Sequence, residues 1–151
     1  MLDSAQPRRI LLVEDKPNDQ RLTIRALRRS RLAEQVRVDV ASTGPDALEY
    51  LFGAAEREPA ALPAVVLLDL KLPMLDGLEV LRRLRADART ATQPVVILTS
   101  SRQEEDRLAA YRLGANSYVR KPVASEAFEE AVQQLGLYWL LLNEGPPGAT
   151  D

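Results

Sequence analysis

The chain has no cysteine and no histidine, and only one tryptophan and two phenylalanines in 151 residues. Without cysteine there can be no disulfide, thiol nucleophile or thiolate metal site. Without histidine the usual general base and the commonest transition-metal ligand are missing. Carboxylates and oxygen-preferring metals such as magnesium remain as the available chemistry. An excess of one charge is lacking too. Twenty Lys and Arg stand against 22 Asp and Glu, a formal net charge of -2, so bulk electrostatics favour no nucleic-acid partner. No apolar run approaches the ~20 residues of a membrane span. Residues Met1 to Arg9 lack the apolar core of a signal peptide, so a cytoplasmic chain with no membrane partner is expected.

What is present suits one domain, since 46% hydrophobic residues at this length suffice for a single core. The apolar runs Ile10 to Val13, Val36 to Ala41, Val65 to Leu68, Val95 to Leu98 and the weaker Ser117 to Val119 read as strands. Helices are expected between and after them. The first follows Lys16-Pro17-Asn18 to about Ser30, and the second opens on Gly44-Pro45 with Pro45 at its first position. The third covers Leu75 to Arg85. The fourth starts on a capping box of Ser101 and Glu104 and stops at Gly114, and the fifth runs from Ser125 to roughly Leu142. Strand and helix in alternation predict an α/β fold, a doubly wound five-stranded parallel sheet flanked by five helices. Residues 1–8 read as an N-terminal tail, 9–142 as the domain and 143–151, with Gly145-Pro146-Pro147-Gly148, as a disordered C-terminal tail.

Four of the five strands end in groups that can do chemistry: Glu14 and Asp15, Asp69, Thr99, and Lys121. In an open parallel sheet the functional crevice lies beyond the carboxyl ends of the strands, so these groups converge on one pocket. Three carboxylates within about 5 Å would repel by roughly 3 kcal/mol per pair at an effective dielectric near 20. Such a cluster calls for a cation, and carboxylates without imidazole favour Mg²⁺.

The segments Leu12-Val13-Glu14-Asp15, Leu67-Leu68-Asp69-Leu70, Leu72-Pro73-Met74-Leu75-Asp76-Gly77, Leu98-Thr99-Ser100 and Tyr118-Val119-Arg120-Lys121-Pro122 resemble the receiver domain of two-component response regulators. The resemblance implies a flavodoxin-like fold with strand order 2-1-3-4-5. It makes Asp69 the acceptor of a phosphoryl group from a phosphohistidine, which in a chain without histidine a partner histidine kinase must supply. It further implies that Asp15 and Asp69 bind Mg²⁺ directly, that Glu14 acts through metal-bound water, and that the backbone carbonyl of Lys71 completes the protein ligands. Thr99 and Lys121 would act on the phosphoryl oxygens, and Lys121-Pro122 resembles the family's cis peptide. Thr99 and Tyr118 would form the switch that remodels the surface of the fourth helix, fifth strand and fifth helix. Lys71 and Lys16 depart from asparagines frequent in the subgroup discussed next.

The last helix carries Phe128, Val132, Leu135, Trp139 and Leu142 as a core stripe, with Leu137, Leu140 and Leu141 on the other side. An end that is apolar all round needs cover. Together with Leu-Asp-Leu-Lys-Leu-Pro at 68–73 and Gly-Ala-Asn-Ser-Tyr-Val-Arg-Lys-Pro-Val at 114–123, its Tyr138-Trp139 extension resembles stand-alone regulators associated with phytochrome histidine kinases, which implies such a kinase as partner and a homodimer through Leu137, Trp139, Leu140 and Leu141. On the first helix Ile24 stands among Arg21, Arg25, Arg28 and Arg31. By default this is a solvated face, but it also suits docking against a kinase helix, with Ile24, Arg21 and Arg28 in contact. Two other functions compete: a receiver-shaped scaffold that takes no phosphate, and a phosphatase of the haloacid dehalogenase type. The phosphatase needs an acid two residues after its nucleophile, where this chain has Lys71. An enzyme is therefore not expected, and neither is a DNA-binding regulator, since no further helix-turn-helix segment is present.

Overall fold

The computed structural model describes residues 8–29, 33–57 and 61–147. Five strands, β1 (Arg8–Val13), β2 (Val36–Ala41), β3 (Val65–Leu68), β4 (Val95–Thr99) and β5 (Ser117–Arg120), alternate with α1 (Pro17–Arg28), α2 (Gly44–Arg57), α3 (Gly77–Ala86), α4 (Glu104–Arg112) and α5 (Ser125–Leu137). All strand pairs are parallel and the order is β2-β1-β3-β4-β5, as the resemblance implied. Arg8, expected in the N-terminal tail, pairs with Val36 as the first residue of β1.

The central strands are apolar without interruption because both faces are covered. Along β1, Leu11 and Val13 join the core beneath α2 and α3, while Ile10 and Leu12 join the core beneath α1 and α5. This alternation pins the register, since a slip of one residue would exchange the two faces. The register in turn aligns Val13 with Leu68, so that Glu14 and Asp69 leave the sheet side by side.

Several helix starts differ from the sequence-based expectation. Thr43 caps α2, its Oγ1 accepting from Asp46 N at 3.1 Å, which moves Pro45 one place inside the helix. Asp76 caps α3 by accepting from Glu79 N at 3.0 Å. The capping box at Ser101 and Glu104 does not form. Ser101 Oγ instead donates to Asp106 at 2.6 Å and accepts from Gln103 N at 3.3 Å, and α4 begins only at Glu104. Gly114, at φ +99°, ends α4 as expected. The Lys121–Pro122 bond is trans, since no cis peptide occurs among the described residues. The inward course of Lys121 comes instead from the acids that bind its ammonium.

The largest correction concerns the C-terminal helix, whose last turn, Tyr138–Leu142, is a π-helix closed by Asn143 N donating to Tyr138 O at 2.7 Å. A wider turn rotates less per residue, so two successive side chains can face the core. Trp139 and Leu140 both do. Leu140, expected on the outer side, is 2% exposed, and Leu142, expected inside, is 73% exposed. Of the four residues assigned to a dimer interface, Trp139 and Leu140 are thus spent within the chain, Leu137 is half-buried, and Leu141 is exposed. Arg8 at the start of β1 donates to the Leu140 carbonyl, tying the turn to that strand. Of the tail expected at 143–151, Asn143, Gly145 and Pro146 line a small cavity with Trp139 and Pro94, and 148–151 lie outside the described residues. The expected helix residues Ser30 and Arg31 lie outside them as well.

The π turn makes a direct prediction. In urea unfolding at submicromolar protein, Leu140→Ala is expected to cost about 2–5 kcal/mol, whereas Leu142→Ala stays within about 0.5 kcal/mol. The opposite order would mean that the helix keeps its α phase to the end.

Candidate functional site

The pocket is built where β1, β3, β4 and β5 run out. Backbone bonds continue past each strand: Asp69 N donates to Val13 O at 3.0 Å and Lys121 N to Thr99 O at 2.7 Å. The first residues beyond the sheet are therefore held as firmly as the strands. α3 starts hard against this edge. A Cβ on Gly77 would lie 2.2 Å from Asp69 O and 2.8 Å from Leu70 Cα, so only glycine admits the approach. Met74, at φ 70°, turns the loop back toward Gly77, whose N–H donates to Leu70 O at 2.8 Å.

Glu14, Asp15 and Asp69 each offer a carboxylate oxygen within 4.8 Å of the others. Glu14 and Asp69 are buried, and Lys121 lies between them with its side chain 7% exposed. Its Nζ donates to Glu14 Oε1 at 2.5 Å, to Asp19 Oδ2 at 2.9 Å and to Asp69 Oδ2 at 3.0 Å. The second oxygens of two acids take backbone donors: Lys16 N reaches Glu14 Oε2 at 3.1 Å and Lys71 N reaches Asp69 Oδ1 at 3.3 Å. Both of these lysine residues are exposed. Asp15 Oδ1 is buried with no hydrogen-bond partner.

Burial drives the Glu14 carboxyl above the usual carboxylate range, and the Lys121 ammonium beside it offsets this only in part. For Lys121 burial acts in the opposite sense and would lower the pKa. Its hydrogen bonds to Glu14 and Asp19 and the charge of Asp69 outweigh that, so the ammonium is held well above the ordinary lysine value. Lys121 is a permanent cation facing an excess of acids. An orphaned buried carboxylate oxygen beside two further acids, with no nitrogen or sulfur ligand, fits a hard dication.

The other assigned residues take varied places. Thr99 is fully buried and its Oγ1 accepts from Ser101 N at 3.3 Å. Tyr118 packs partly against the core beneath α2, α3 and α4, and its hydroxyl is buried without a partner. Arg21 and Arg28 are exposed on α1, with Arg21 Nη2 donating to Asn18 Oδ1 at 3.2 Å. Ile24 is less available than its arginine surroundings suggested, since it is half-buried against the α1–α5 core. Asp19 was not legible in the sequence as a site residue. An acid in the first turn of a helix reads as a dipole partner, and only the course of Lys121, 102 residues away, gives it a second role.

The carboxyl end of this doubly wound sheet thus presents an acidic pocket able to hold a metal ion, with a buried lysine between its acids and a buried threonine on the neighbouring strand. The model of the response regulator receiver domain matches residues 10–133, and the chain belongs to that family of signalling domains. Among curated proteins it is 38% identical over 146 residues to the probable methanogenesis regulatory protein FilR2 of Methanothrix harundinacea, covering 97% of this chain and 92% of that protein. The phosphorylated form of the cyanobacterial phytochrome response regulator RcpA superposes with TM-score 0.84 at 34% identity, covering 93% of this chain and 99% of that one. The Mn²⁺-bound form of response regulator Rcp1, a protein known from Synechocystis sp., gives 0.83 at 34% identity with the same coverage. Among the described residues no helix is long and apolar enough to cross a membrane.

Removing the lysine tests the electrostatics. In metal-free buffer Lys121→Met leaves Glu14 and Asp69 buried without their cation, and a loss of about 3 kcal/mol in unfolding free energy is expected. Saturating Mg²⁺ should return more stability to the variant than to the parent, measured by thermal melts with and without the ion. An equal gain in both would show that lysine and metal do not share these carboxylates.

Proposed function

We propose that the chain is a phosphoryl-accepting regulator that takes its phosphate on Asp69 from the phosphohistidine of a partner kinase. The observation that carries this is the setting of Asp69: buried at the end of β3, one oxygen on Lys121 and the other on the Lys71 N–H, beside the unpartnered Asp15 Oδ1. A carboxylate oxygen of Asp69 attacks phosphorus, the new O–P bond forms as the P–N bond breaks, and the electron pair of that bond stays on the departing imidazole. Mg²⁺, held by Asp15, Asp69 and the Lys71 carbonyl, with Glu14 acting through water, would screen the phosphoryl oxygens. Lys121 then balances charge that grows as a carboxylate becomes an acyl phosphate, and the Thr99 hydroxyl donates to a phosphoryl oxygen. The buried Thr99 and the unsatisfied Tyr118 hydroxyl support a two-residue switch, in which the α4–β5–α5 surface changes when a new acceptor arrives at Thr99.

Similarity to a phytochrome response regulator supports a phytochrome-type histidine kinase as donor, docking on α1 beside Arg21, Arg28 and the outer part of Ile24. The exposed Tyr138, Leu141 and Leu142, contiguous with half-buried Leu137, support a homodimer through the end of the last helix.

Incubation with acetyl phosphate and Mg²⁺ is expected to give a single phosphoryl adduct by mass spectrometry, absent in Asp69→Asn and absent when the metal is chelated. A folded protein with no adduct would leave the scaffold reading. Light scattering at micromolar concentration is expected to return twice the chain mass, with Leu141→Glu shifting it to the monomer. A monomeric parent would remove the dimer.

A further inference from the structure

The Lys121 ammonium has three N–H donors, and three carboxylates accept them: Glu14 at 2.5 Å, Asp19 at 2.9 Å and Asp69 at 3.0 Å. Two of these acceptors, Glu14 and Asp69, belong to the acid cluster that can hold a metal, and Asp19 does not. Asp19 stands on α1, with its side chain 24% exposed at the mouth of the pocket. We infer that Asp19 is a positioning residue acting through Lys121: it keeps the ammonium anchored when Glu14 and Asp69 turn to a dication. The inference rests on the phosphoacceptor reading of the site and deepens it.

The physical basis is competition. An ammonium and a dication compete for Asp69 directly and for Glu14 through metal-bound water, and a lysine whose side chain is 7% exposed cannot give up every partner cheaply. Without Asp19, metal entry would strand the ammonium or leave it on Glu14 and Asp69, where it opposes the ion. With Asp19, one charge-assisted bond survives the exchange and the ammonium stays within reach of Asp69. Asp19 thus does for the lysine what an outer partner does for a metal ligand: it fixes the group's position without touching the ion.

The test is a Mg²⁺ titration of the full chain by isothermal calorimetry. Asp19→Asn keeps the shape and removes the charge, and the Kd is expected to rise about tenfold, the scale of outer-partner losses at metal sites. Asp19→Glu, which restores the carboxylate, should recover most of it. Loss of one negative charge near the ion would also weaken binding, so the cycle is closed in a Lys121→Met background, with Lys121→Gln as a second background should methionine unfold the chain. There Asp19→Asn is expected to change Kd by less than about twofold, because its route through the lysine is gone. An unchanged Kd in Asp19→Asn overturns the inference, as does an equal tenfold loss with and without Lys121. A parent chain that binds no Mg²⁺ would overturn the phosphoacceptor reading itself, whereas a parent that binds normally beside an unaffected Asp19→Asn overturns only the role of Asp19.

Discussion

One ammonium faces four carboxylates at the carboxyl edge of a buried sheet, and the rest of the molecule is arranged to sustain that imbalance. At 3 Å each Lys121–carboxylate contact is worth about 5 kcal/mol of Coulomb energy at an effective dielectric near 20. Withdrawing each ion from water costs several kcal/mol, so these pairs do little more than break even. The acids left over, with the unpartnered Asp15 Oδ1 among them, keep the balance negative. The pocket is therefore a place of stored demand for positive charge, and it contributes little to holding the fold together.

Stability must come from elsewhere, and the two apolar layers supply it. Leu11, Leu67, Leu68, Leu81, Leu84 and Ile97 are among the fully buried side chains, each worth roughly 1.5–3 kcal/mol on burial. Two glycines carry this rigidity to the site. A Cβ on Gly77 would strike the Asp69 carbonyl, and one on Gly44 would lie 2.3 Å from Leu75 O. The starts of α2 and α3 thus both close on the loop that follows Asp69. A carboxylate with backbone packed this tightly behind it has little freedom to relax away from its neighbours, which is what keeps like charges together.

How far the sequence foretold this depends on whether the deciding contact is local. The bounds of β2 and β3 follow from β-branched and leucine runs, and the acids, Thr99 and Lys121 follow from where the runs of β1, β3, β4 and β5 stop. The strand order came from resemblance, since alternation alone permits other orders. Choices between competing caps were not legible: Thr43 and Gly44, or Asp106 and Glu104, differ by one contact that depends on how the preceding loop enters the helix. Helical phase failed at Tyr138 because periodicity assumes one rotation per residue throughout, and a π turn breaks that assumption. Asp19 failed for the same kind of reason as the caps, at longer range, since its partner's side chain arrives from the far end of the sheet.

The same accounting bears on the proposed switch. A buried hydroxyl without a partner costs about 1–3 kcal/mol, and the Tyr118 hydroxyl is in that condition. Packing of its ring against the α2–α3–α4 core opposes this cost by an amount of similar size. Two opposing terms of this scale would let the proposed inward and outward positions of the ring lie close in free energy. That near-balance is what a bistable element requires, because a bias of about 1.4 kcal/mol then shifts its populations tenfold. Thr99 sits on β4 in the strand pair that also holds Tyr118, so in the proposed switch a new hydrogen bond at its hydroxyl would act on the neighbouring strand. In the proposed switch the charge imbalance at the carboxyl end of the sheet would supply the drive and the unsatisfied tyrosine the sensitivity, both sustained by burial in the same leucine-rich layers.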